Sequence, residues 1–326
     1  AGLHTTQTAG LALATDLAPP QTRPRVVALL YVMLLLGTVA SALLLGLVLR
    51  DFSQIRLIQA IQGTALLTML LNGLALWKQE ARDPSRAADE GPRPSFLDTW
   101  RRFAAQGRTH RFLVAVGLGT AAFSMQDVLL EPYGGEILHL GVADTTLLTA
   151  FLAGGTLLAF TIAARRLARG TDPHRLAAVG ALVGVFAFAA VVFAAPLESV
   201  TLFRVGAALI GFGGGFFAVG TLNAAMALDR EGRNGLALGA WGAVQATAAG
   251  SAIAIGGALR DLVSSLGARG VLGDALAGPS VGYSFVYHVE IGLLFLTLVI
   301  IGPLVRASTG EDHVASTRFG LAEFPG

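Results

Sequence analysis

Apolar residues run through this chain in long blocks, and polar residues gather in short clusters between them. A helix that crosses about 30 Å of hydrocarbon needs roughly 20 residues, each rising about 1.5 Å. Eight blocks reach that length: residues 26–49, 57–77, 112–130, 146–164, 176–195, 202–228, 236–259 and 285–305. Residues 8–17 read as the end of one more helix, so we expect N-terminal helices of the bundle to be missing from this sequence. The pattern predicts an all-α membrane protein, a polytopic helix bundle with lipid as its solvent.

Arginine marks every second connection. Counted from the connection at 18–25, the odd-numbered connections and the C-terminal tail hold 18 of the 23 Lys and Arg residues. The even-numbered ones hold four, and Arg204 lies within a span. Positive charge stays on the cytoplasmic side of a bilayer, which orients the odd connections and the C-terminus toward the cytoplasm. The third connection, residues 78–111, is long and polar and contains Pro84, Pro92 and Pro94. Ser95 and Asp98 stand at capping-box spacing, and Phe96, Trp100 and Phe103 then share one face, as an interfacial amphipathic helix requires. Four regions follow: the end of a first helical half with two full spans (1–77), a cytoplasmic linker (78–111), a second six-helix half (112–306) and a cytoplasmic tail (307–326). Six spans after a long linker is the half-molecule pattern of a six-plus-six transporter.

Composition narrows the chemistry. Charged residues make up 13% of the chain, about half the usual share in soluble domains, and mean hydropathy is +0.65. Lys78 is the one lysine, so the basic balance comes from membrane-flanking arginines, and no basic stripe with interleaved aromatics suggests nucleic acid. The absence of cysteine excludes disulfides, thiolate metal sites and cysteine nucleophiles. His4, His110, His139, His174, His288 and His313 have no metal-site spacing. No Walker loop, zinc-protease helix or nucleophile elbow is present, and we expect no enzymatic activity.

Ionisable residues inside spans are costly and mark candidate sites. Gln126, Asp127 and Glu131 fall on or at the end of the 112–130 block, with Asp127 and Glu131 four residues apart on one face. They read as a cavity or partner-contact site, or as a headgroup-level Glu131 beside an Asp127 bonded to a neighbouring helix. Pro132, Gly134 and Gly135 are expected to break the helix just beyond. Arg204 either snorkels outward or pairs with Asp127 or Glu131. Asn223 and Gln245 are single polar residues in spans, suited to interhelical hydrogen bonds or to lining a path. Gly206, Gly211, Gly213, Gly214, Gly215 and Gly220 share one span, as Gly180 and Gly184 share another; small residues there permit close helix approach.

Three turns resemble the cytoplasmic turns of the major facilitator superfamily. They run from Asp16 to Arg23, from Arg165 to Arg175 through Arg166 and Asp172, and through Asp229, Arg230 and Arg233. Each puts carboxylate and guanidinium groups at helix ends, where they can latch neighbouring helices or simply anchor them. More specific are Phe123-Ser-Met-Gln-Asp-Val-Leu-Leu-Glu-Pro-Tyr-Gly-Gly-Glu136, Gly211-Phe-Gly-Gly-Gly-Phe-Phe-Ala-Val-Gly220 and Gly239-Ala-Trp-Gly-Ala-Val-Gln245. Together they resemble the PucC/LhaA family, major-facilitator-like proteins of purple phototrophic bacteria associated with assembly of light-harvesting complexes. The resemblance implies antenna polypeptides and the reaction-centre complex as partners, and a multi-pass protein of the intracytoplasmic photosynthetic membrane. It requires no cofactor but allows bacteriochlorophyll or carotenoid. Two functions stay open: an assembly factor holding antenna polypeptides, and a secondary transporter of a small molecule.

Overall fold

The computed structural model describes residues 23–77, 107–228 and 234–308, together with positions 10, 13 and 101. The expected helix end at 8–17, most of the 78–106 linker with its amphipathic helix, the turn at 229–233 and the tail from 309 lie outside the described residues. The described elements are helical throughout. They are α1 (Arg23–Val48), α2 (Gln54–Leu76), α3 (Gly107–Ser124), a 3-10 turn (Met125–Val128), α4 (Leu130–Glu136), α5 (Val142–Ala168), α6 (Pro173–Ala194), α7 (Val200–Ala227), α8 (Asn234–Ala268) and α9 (Val281–Ser308).

Seven of the described helical segments are long and apolar enough to cross a membrane, with α3 and α4 counting as one through the 3-10 turn. The first helix adds the apolar stretch Val32–Val48. Local chemistry sets several of the ends. Ser53 and Ser199 accept hydrogen bonds from the backbone amides of Arg56 (3.1 Å) and Leu202 (3.2 Å), capping α2 and α7. Asp172 caps α6 by accepting from the His174 amide at 3.0 Å, with Pro173 at the first helical position. Gly170, with φ +82°, closes α5 in the left-handed region that favours glycine.

Helix α7 is the hub. It packs between α5 and α6, α6 leads on to α9, and α9 shares α3 with α8. The outer face of α5 receives α1, while α2 packs lightly on α1 and has no buried residue among the described residues. The expectation of close glycine packing is met in α7. A Cβ at Gly211 would lie 1.9 Å from the Leu152 carbonyl of α5, and one at Gly180 would lie 2.5 Å from the Gly213 carbonyl. The backbones of α5 and α6 touch that of α7, and dispersion replaces the hydrophobic drive that lipid removes.

Two boundaries differ from expectation. Helix α8 runs on to Ala268, past the expected end at 259, because nothing from Leu259 to Leu266 breaks a helix. The helix carrying Asp127 does not end at Pro132 and the glycines. It tightens to 3-10 geometry at Met125–Val128, a turn upstream, and resumes through Pro132 to Glu136. A proline clashes with the carbonyl four residues before it, here Val128, and removes one hydrogen bond. Pro132 itself occupies the first turn of α4, where its missing N–H costs nothing.

Candidate functional site

The buried face of α9 reads Tyr283, Tyr287, Glu290, Leu294, Thr297, Ile301 and Leu304, spaced three and four apart, and all are at most 3% exposed. Across from it stands the interrupted helix α3–α4. Met125 backs onto α8, where the backbone of Gly256 admits it: a Cβ there would meet Met125 at 3.1 Å. The 3-10 turn is therefore pressed between α8 and α9, and it carries Gln126 and Asp127 into the seam.

Gln126 is buried, and its amide nitrogen donates to Asp127 Oδ1 and to the Phe123 carbonyl at 3.3 Å. Its oxygen has no hydrogen-bond partner among the described residues. Asp127 keeps an exposed surface, so this pair joins the core to an open side. Glu290 faces the same turn. It is 0% exposed, with the Gln126 backbone directed at its carboxylate, and the buried Tyr287 hydroxyl has no hydrogen-bond partner among the described residues. Glu290 was not singled out in the sequence, although the rule that flagged Asp127 applies to it: it is an ionisable residue inside the span Val281–Val305.

A chain of aromatic contacts connects this centre to one end of the bundle. The Tyr133 ring lies 5.5 Å from that of Tyr287 and 5.3 Å from that of Tyr283, both edge-on. The Tyr133 hydroxyl donates to the Val191 carbonyl at 3.3 Å. Tyr283 then reaches an ionic cluster. Its hydroxyl donates to Glu136 at 2.8 Å and accepts from Arg260 at 2.7 Å, and the Arg260 guanidinium lies 4.4 Å from the Tyr283 ring centre. Arg260 also pairs with Glu136 and with Asp261. These contacts tie α4, α8 and α9 together. They became available because α8 extends past its expected end.

The remaining candidates separate. Glu131 accepts from Thr149 Oγ1 at 2.8 Å, joining α4 to α5. Arg204 pairs with neither Asp127 nor Glu131; it donates to Asp144 in the first turn of α5 at 2.8 Å. That outward pairing fits the snorkelling alternative. Asn223 donates to the Val219 carbonyl of its own helix at 2.8 Å, and Gln245 is half-buried on α8. Of the latch residues, Asp16, Asp229, Arg230 and Arg233 and the side chain of Arg23 lie outside the described residues. Asp172 caps α6 through Oδ1, and Arg166 and Arg175 line a cavity with apolar residues.

A bundle of long apolar helices with ionic pairs at its ends and a polar seam at depth defines a multi-pass α-helical membrane protein. Residues 1–309 match the family model described as PUCC protein, and the chain belongs to that family. It is 53% identical over 328 residues to the "Uncharacterized protein in puhA-bchM intergenic region" of Rhodobacter capsulatus, covering 99% of this chain and 69% of the relative. It is 54% identical over 266 residues to Protein PucC of Rhodovulum sulfidophilum, covering 81% of this chain and 59% of the relative. The Bacteriochlorophyll synthase 44.5 kDa chain of Rhodobacter capsulatus is 28% identical over 327 residues, covering 98% of this chain and 73% of that one. The chain thus spans less than two thirds of the Rhodovulum sulfidophilum protein.

Proposed function

We propose that the protein is an assembly factor for bacteriochlorophyll–protein light-harvesting complexes, holding antenna polypeptides while the complex is built. Bacteriochlorophyll or carotenoid would travel with those polypeptides, and the reaction-centre complex is a further partner. It would work in the photosynthetic membrane of a phototrophic bacterium, with its C-terminus cytoplasmic and without enzymatic turnover. Membership of the PUCC family carries this reading. The test is purification in mild detergent, followed by mass spectrometry and an absorption spectrum. Light-harvesting polypeptides and a near-infrared band are expected with the protein; a colourless preparation free of antenna subunits would overturn the reading.

One observation favours a secondary transporter instead. Transport sites lie near mid-membrane at interrupted helices and use ionisable groups for coupling. Glu290, fully buried against the 3-10 turn of Gln126 and Asp127, has that form.

A further inference from the structure

The arginine-rich end of the bundle contains a cavity of about 460 Å³ between α5, α6 and α7. Its lining changes character with depth. On α5, Arg166 stands one turn after Ile162; on α6, Arg175 stands one turn before Val179. Each helix therefore offers a guanidinium toward its end and an aliphatic side chain further in. Thr171, in the turn between them, adds a hydroxyl. The wall on α7 is Phe212 and Phe216, whose ring centres are 4.6 Å apart.

Neither Arg166 nor Arg175 forms an ion pair among the described residues, and Asp172 Oδ1 caps α6 nearby. Two guanidiniums lining one cavity suit an anion, and the planar fork matches phosphate oxygens. A free anion would leave the apolar wall unused. Basic pockets between membrane helices fit lipid head groups.

We propose that this cavity binds an anionic phospholipid, with Arg166, Arg175 and Thr171 holding its phosphate and one acyl chain lying along Ile162, Val179, Phe212 and Phe216. The lipid would join the ends of three helices, two of which present the exposed Arg166 and Arg175.

The test uses the full chain, purified in a neutral detergent and stripped of lipid. Thermal unfolding and native mass spectrometry are followed with phosphatidylglycerol, phosphatidylcholine and inorganic phosphate. Phosphatidylglycerol is expected to raise the unfolding temperature and to remain bound, and the other two are not. The R166Q/R175Q variant should weaken phosphatidylglycerol binding about 30-fold, from roughly fivefold per arginine near an anionic lipid surface. The V179W variant, which fills the apolar end, should also lose the lipid. Arg165 and Arg169 lie outside the cavity, and R165Q/R169Q should retain it. Equal losses in the two double variants, an equal effect of inorganic phosphate, or no effect of phosphatidylglycerol would each overturn the proposal. If R166Q/R175Q fails to fold, V179W decides: undiminished lipid binding there overturns it.

Discussion

Two kinds of residue carry this bundle at the smallest scale, glycines that admit a neighbouring backbone and polar groups that sit where lipid chemistry resists them. Gly211 shows the first. Its missing side chain is occupied by the Leu152 carbonyl, 1.9 Å from where a Cβ would stand, and a backbone atom cannot swing aside as a side-chain tip would. Gly211→Ala should therefore force α5 and α7 apart and destabilise the protein by about 1–3 kcal/mol, the usual cost of overpacking. Gly239 has nothing within 4 Å of its Cβ position, so Gly239→Ala should be neutral or slightly stabilising. Thermal unfolding of both variants in the same detergent checks the contrast; equal effects would refute the close-packing account. Glu290 shows the second kind. Burying a carboxyl is costly, and at Glu290 the Gln126 backbone is the nearby donor.

At the scale of elements, length and order were legible and interruptions were not. The apolar blocks located each long helix after 107 because the bilayer fixes their length, and the small-residue pattern of α7 announced its packing. The 3-10 turn at Met125–Val128 was misplaced because a proline acts on the carbonyl behind it, so the distortion precedes Pro132. The cluster of Glu136, Arg260 and Tyr283 was illegible because its members are 124 and 147 residues apart in the hydrogen-bond pairs they form. Arg260 is the centre of that cluster and its side chain is 25% exposed. Arg260→Gln should cost about 1–2 kcal/mol, a charged hydrogen-bond network discounted for partial exposure. Asp261→Asn removes a carboxylate that is 73% exposed and should change stability by less than about 0.5 kcal/mol. Unfolding measurements on the pair separate a working interhelical tie from ordinary surface charge; a neutral Arg260→Gln would refute the tie.

The whole molecule poses the choice between holding and moving. Family membership favours holding, whereas the seam of Gln126, Asp127, Tyr287 and Glu290 has the composition of a coupling site. Glu290 adds a second acid beside Asp127 within the spans, which a purely structural bundle does not require. A scaffold needs the shape of these side chains, while a coupled transporter needs their acidity. The D127N/E290Q variant keeps the shape and removes both acids. Expressed as the sole copy in a phototrophic host that depends on the wild-type protein for its antenna, it is expected to leave most of the near-infrared antenna absorbance of the membranes in place. Loss of that absorbance, with the variant still present in the membrane at the wild-type level, would contradict the assembly account and identify the acidic seam as the working part.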